Sequence, residues 1–110
     1  MKMSRHYLLA TTAAVTALGA QIAAGRRLRG WTAAELADRL GVSVPTLRRI
    51  ENGAPTVAVG VMFEAAVLCG VELFSVDPAD LPRVAREAQL RSAVLPSRVR
   101  RAPVHADDDF

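Results

Sequence analysis

Arginine supplies thirteen of the fourteen basic side chains in this sequence. Its planar guanidinium donates in pairs, which suits it to phosphate oxygens and to the O6/N7 edge of guanine. The charge is blocked along the chain. Residues 1–53 hold eight basic against three acidic side chains, residues 54–82 four acids and no base, residues 83–101 six arginines against Glu87, and residues 102–110 end with Asp107, Asp108 and Asp109. Two basic blocks around an acidic centre suit polyanion contact at one or both basic surfaces; a plain solvated exterior is the other reading. Side chains for covalent or metal chemistry are scarce. Cysteine occurs once, at Cys69, so no intramolecular disulfide and no cysteine metal cluster can form, and the two histidines, His6 and His105, stand near opposite ends. No nucleophile, base and orienting group recur at a catalytic spacing, so no enzyme activity, metal or cofactor is expected.

The length, 110 residues, allows one small domain with a tail. Aromatic residues make up 5% while alanine and leucine abound, which favours an all-α fold of closely packed helix formers. Arg48 and Arg49 lie within "WTAAELADRLGVSVPTLRRIENG", residues 31–53, and the punctuation of that segment decides how they are presented. Thr32 with Glu35 makes a capping box, and Trp31 with Leu36 is spaced for a hydrophobic staple. Leu36, Ala37 and Leu40 form an apolar stripe, and Gly41 ends the helix where a left-handed residue turns the chain. Ser43 is a good N-cap, Pro45 falls in the first turn, Leu47 and Ile50 point inward, and Asn52-Gly53 is a stop signal. Two helices joined by so short a turn must cross steeply, with small Ala37 at the approach; this is a helix-turn-helix.

Leu36, Ala37, Leu40, Gly41, Val42, Leu47 and Ile50, followed by "RIENG", resemble the Xre-type helix-turn-helix proteins, the group that includes phage repressors. The resemblance covers about residues 17–76 and implies a compact five-helix, lambda-repressor-like domain that binds double-stranded operator DNA. The second helix of such a motif enters the major groove by its N-terminal part while the first crosses the backbone. The recognition helix then runs from about Ser43 to Asn52, with Val44, Pro45, Thr46, Arg48 and Arg49 directed outward. Arg49 is the candidate for reading guanine; Arg48 reads bases or binds phosphate; Val44 and Thr46 offer methyl contacts or one hydroxyl bond; Thr32 and Ser43 hold phosphates beside the helix N-termini. Arg26 resembles the family arginine that pairs with the Glu51 equivalent, a structural role shared with Ala37 and Gly41. Arg27 and Arg29 are candidates for backbone contacts. Three positions depart from the pattern. Ala33 stands where a phosphate-binding glutamine is usual, Val44 where a polar base-reading residue is common, and Gly25 where relatives have leucine, which implies closer packing or a bulkier neighbour such as Trp31.

The opening "MKMSRHYLLATTAAVTALGAQIA" imitates an export signal, with a basic start and a small-residue site near Ala20. Cleavage there would remove Leu18, which pairs with Ile22 on the helix that precedes the motif. The uncharged run Tyr7–Ala20 is fourteen residues, short of the roughly twenty that span a bilayer. Residues 1–16 are therefore read as an extension of the first helix, and the protein as cytoplasmic, nucleoid-associated when bound to DNA, with no membrane partner.

Residues 57–72 read as an amphipathic helix with Val59, Met62, Phe63, Ala66, Val67 and Gly70 toward the core and Val61, Ala65 and Leu68 as a second apolar row. Cys69 reads as a small core residue. Within residues 77–95 a further helix starts near Asp80 and ends before Pro96, with Leu81, Val84, Ala85 and Ala88 inward and Arg83, Arg86 and Arg91 away from them. Relatives make their dimer contact near this region, which implies a homodimer. Residues 96–110 lack a hydrophobic period and are expected to be a disordered tail. Its basic-then-acidic order, with "SVDPADLP", resembles antitoxins of the HipB kind. That implies the antitoxin of a HipBA-like toxin–antitoxin pair, autoregulating its operon as a repressor and neutralising a HipA-like kinase toxin. A stand-alone Xre-type regulator, and a partner-binding module with weak DNA affinity, are the alternatives.

Overall fold

The computed structural model describes residues 6–99 and 101, and within them the chain is all-helical. Five α-helices follow one another: α1 (Leu9–Leu28), α2 (Ala33–Leu40), α3 (Val44–Glu51), α4 (Val59–Leu68) and, after a 3-10 turn at Pro78–Asp80, α5 (Leu81–Ala93). An isolated antiparallel bridge between Leu73 and Val76 is the one extended pairing among the described residues. The basic start at 1–5 and most of the tail, with His105, the acidic run and Phe110, lie outside the described residues.

The ends of α2 and α3 follow from local chemistry. Thr32 Oγ1 accepts from the Glu35 amide at 3.0 Å while Glu35 Oε1 accepts from the Thr32 amide at 2.8 Å, closing the capping box. Gly41, at φ 70, sits in the left-handed conformation that L side chains avoid, and it reverses the chain between the two helices. Ser43 Oγ then accepts from the Thr46 amide at 3.2 Å and starts α3, with Pro45 in the first turn.

The core is aliphatic. Ile22 from α1, Leu36 from α2 and Leu47 and Ile50 from α3 are fully buried, and Ala37, Met62, Ala65, Ala66 and Cys69 complete the cluster. Burying each large aliphatic side chain contributes about 1.5–3 kcal/mol. Glycines let α1 approach its neighbours backbone to backbone. A Cβ on Gly19 would lie 2.5 Å from the Ile50 carbonyl oxygen, and one on Gly25 would meet Cys69 Cβ at 2.9 Å. Gly25 is thus accounted for by closer packing of α1 on the end of α4.

Two apolar faces differ from their sequence-based expectation. The helix expected over 57–72 is shorter, ending at Leu68, because Gly70 turns left-handed at φ 73 and Arg29 caps the carbonyl of Cys69. Its inner face is Met62, Ala65 and Ala66, followed by Cys69, while Val59 is 65% and Val67 39% exposed and Phe63 half-buried. α4 is apolar on nearly every side, so its sequence carries no phase; the approach of Gly25 to Cys69 sets the rotation. In α5, Leu81 and Val84 are half-buried, but Ala85 and Ala88 are exposed and the helix buries no residue. It is tethered through the Pro78–Asp80 turn and leans over α4 without closing on it.

Candidate nucleic-acid interface

Burial of Leu47 and Ile50 fixes the rotation of α3 and decides which of its side chains face away from the body. Pro45, Arg48 and Arg49 are exposed and Thr46 is half-buried. Val44, expected to point outward, is half-buried against the core. Its isopropyl group gains more from apolar neighbours than from water, so one expected base-reading position is partly withdrawn.

Hydroxyl chemistry at the N-cap narrows the donors available to an anion. Ser43 Oγ–H donates to Thr46 Oγ1 at 3.0 Å, so the Thr46 hydroxyl is the one left with a proton to give. Thr32 uses its oxygen as an acceptor in the capping box, with its hydroxyl beside the Glu35 carboxyl. The same hydrogen bonds from Thr32 hold the exposed Glu35 carboxyl below its usual range. Ala33, in place of a polar side chain, is half-buried on the core.

The frame beneath is clamped by one ion pair. Arg26 Nε donates to Glu51 Oε2 at 2.7 Å and Nη2 to Oε1 at 3.2 Å, while Nη1 donates to the Trp31 carbonyl at 2.9 Å. The two side chains are only 12% and 13% exposed, and the bonds to Glu51 push the Arg26 guanidinium further up from its ordinary value. The end of α1, the entry to α2 and the end of α3 are thereby locked together. Arg29, although exposed, is occupied elsewhere: Nη1 donates to the Cys69 carbonyl at 2.8 Å, capping α4. Arg39 lies over the Trp31 ring at 4.3 Å, a cation–π contact that spacing alone did not signal. Arg27 and Arg48 project without a hydrogen-bonding partner among the described residues. Burial pushes the Cys69 thiol up, consistent with an inert core cysteine.

Among the described residues no group of three or more His, Cys, Asp or Glu side chains gathers where a metal ion could be held, and no helix is long and apolar enough to cross a membrane.

Two capped helices crossing at a left-handed glycine, the second showing an arginine-bearing edge to solvent, define a helix-turn-helix. The helix-turn-helix family model matches residues 22–75, the stretch that holds α2, α3 and α4, and this part of the chain is similar to Xre-like domains of that kind. The family is regulatory and not typically enzymatic, which supports a DNA-binding regulator. Among curated proteins and among solved structures nothing matches the chain significantly.

Proposed function

We propose that the chain is a sequence-specific, DNA-binding transcriptional repressor acting as a homodimer in the cytoplasm, on the nucleoid. The observation that carries this is the outward edge Pro45, Thr46, Arg48 and Arg49, held on a helix whose opposite side is locked by Leu47 and Ile50. Arg49 reads a base, Arg48 and the Thr32 and Thr46 hydroxyls bind phosphate, and the α2 and α3 N-termini add their amides. Support for the dimer comes from α5, which buries none of its residues and, with Phe63, Val67, Leu73 and Phe74, borders an open apolar groove of about 610 Å³. Two reading heads one helical turn apart on DNA gain affinity by acting together. The biological setting we infer is an antitoxin that represses its own operon and holds a HipA-like kinase toxin, in keeping with "SVDPADLP" and the charge order of the tail.

A second reading, a partner-binding module with weak DNA affinity, is favoured by the half-burial of Ala33 and Val44. Arg49→Ala separates the two. In a repressor it costs about 1–3 kcal/mol on the preferred duplex and relaxes preference at one base pair. Unchanged binding to preferred and random duplexes in an anisotropy titration favours the second.

A further inference from the structure

The loop that follows α3 is pinned along its length. Gly53 turns at φ 73 with its backbone against α1, where a Cβ would meet Thr16 Cα at 2.6 Å. The Ala54 amide donates to the Arg49 carbonyl at 2.9 Å, the Val57 amide reaches the Ala54 carbonyl at 3.4 Å, and the Val57 side chain packs on the core. Thr56 sits inside this fixed stretch, exposed, and its hydroxyl accepts a hydrogen bond from Arg49 Nη2. Arg48, the preceding residue, is also exposed and has no such partner.

We propose that Thr56 is a positioning residue for Arg49, holding its guanidinium in the orientation used for base reading; this rests on the proposed DNA-reading function. The physical reason is entropic. A long arginine side chain free in solvent must give up its rotamers when it binds, whereas one held on a rigid loop has given up part of them already. The hydroxyl occupies one N–H and leaves the remaining donors of the fork for the O6 and N7 of a guanine. Thr56 thus makes the two neighbouring arginines unlike: Arg49 is directed and specifies, Arg48 swings and finds phosphate.

The test uses the full chain and a duplex enriched by it from a randomised library, with random duplex as control. Thr56→Val should weaken binding to the enriched duplex by roughly three- to tenfold with random duplex unchanged. Preference should relax at the base pair that Arg49→Ala also relaxes. Thr56→Ser should restore both, and Arg49→Ala/Thr56→Val should bind no worse than Arg49→Ala alone. The melting temperature of each variant checks that the loop still folds. Parent-like preference in Thr56→Val while Arg49→Ala loses it overturns the positioning role and leaves the reading of Arg49 standing. Equal weakening on every duplex, tighter binding, or additive losses in the double variant overturn it too. If Arg49→Ala itself keeps full preference, the DNA-reading assignment fails and takes this inference with it.

Discussion

In the body formed by α1 to α4, small residues bring backbones together. Gly19 lies against the Ile50 carbonyl, Gly25 against Cys69, and Ala65 and Ala66 are fully buried beneath. On the flank between α4 and α5, residues of the same kind leave a gap. Ala85 and Ala88 are exposed, Phe74 is 70% exposed, and Leu90, Val94 and Leu95 stand in solvent. The difference lies in what ties the helices. The body has a two-pronged ion pair, a carbonyl cap from Arg29 and short turns, whereas α5 is anchored by a 3-10 turn and by Leu81 at its start. A helix of 13 residues that buries none of them fully is marginal alone. The body therefore specifies its own geometry, and the flank is the part left for the proposed second copy.

Breaking the body should produce the largest effect. Arg26→Ala leaves Glu51 nearly buried without its partner and should lower the unfolding free energy by about 3–5 kcal/mol in urea titration. A loss near that of a surface pair, under about 1 kcal/mol, would mean that the clamp does not hold the frame. On the flank, Val84→Glu should change the unfolding of dilute protein by less than about 1 kcal/mol, because α5 contributes little within one chain. It should nonetheless abolish self-association in sedimentation; a dimer that persists would place the interface elsewhere. The smallest effect concerns pH. Glu35 is depressed in the folded state by its bonds to Thr32, so its contribution is present above the unfolded carboxylate range and lost as pH falls through the folded value. The melting-temperature gap between the parent and Glu35→Ala should narrow from about pH 7 to below about pH 4. A constant gap would contradict the capping box as its source.

Much of the body was legible because its signals are local. Thr32 with Glu35, Gly41, and Ser43 with Pro45 each obey short-range rules that tertiary packing did not override. The pairing of Arg26 with Glu51 is separated by 25 residues and was accessible only through the family resemblance. Gly19 gave no warning, since a glycine within a helix does not say which backbone comes near it. The phase of α4 was hidden because an all-round apolar helix has no polar side to orient it. Helical position alone does not show that Val44 also touches the core, and an exposed loop threonine such as Thr56 has no distinguishing pattern until Arg49 is seen beside it.

The central claim, that the exposed edge of α3 binds duplex DNA and tells sequences apart, is tested most directly by affinity against salt. The full chain should bind its enriched duplex more tightly than random duplex, and its affinity should fall by about a hundredfold between roughly 50 and 200 mM salt as counterions are released. Binding that is indifferent both to salt and to sequence would contradict the account.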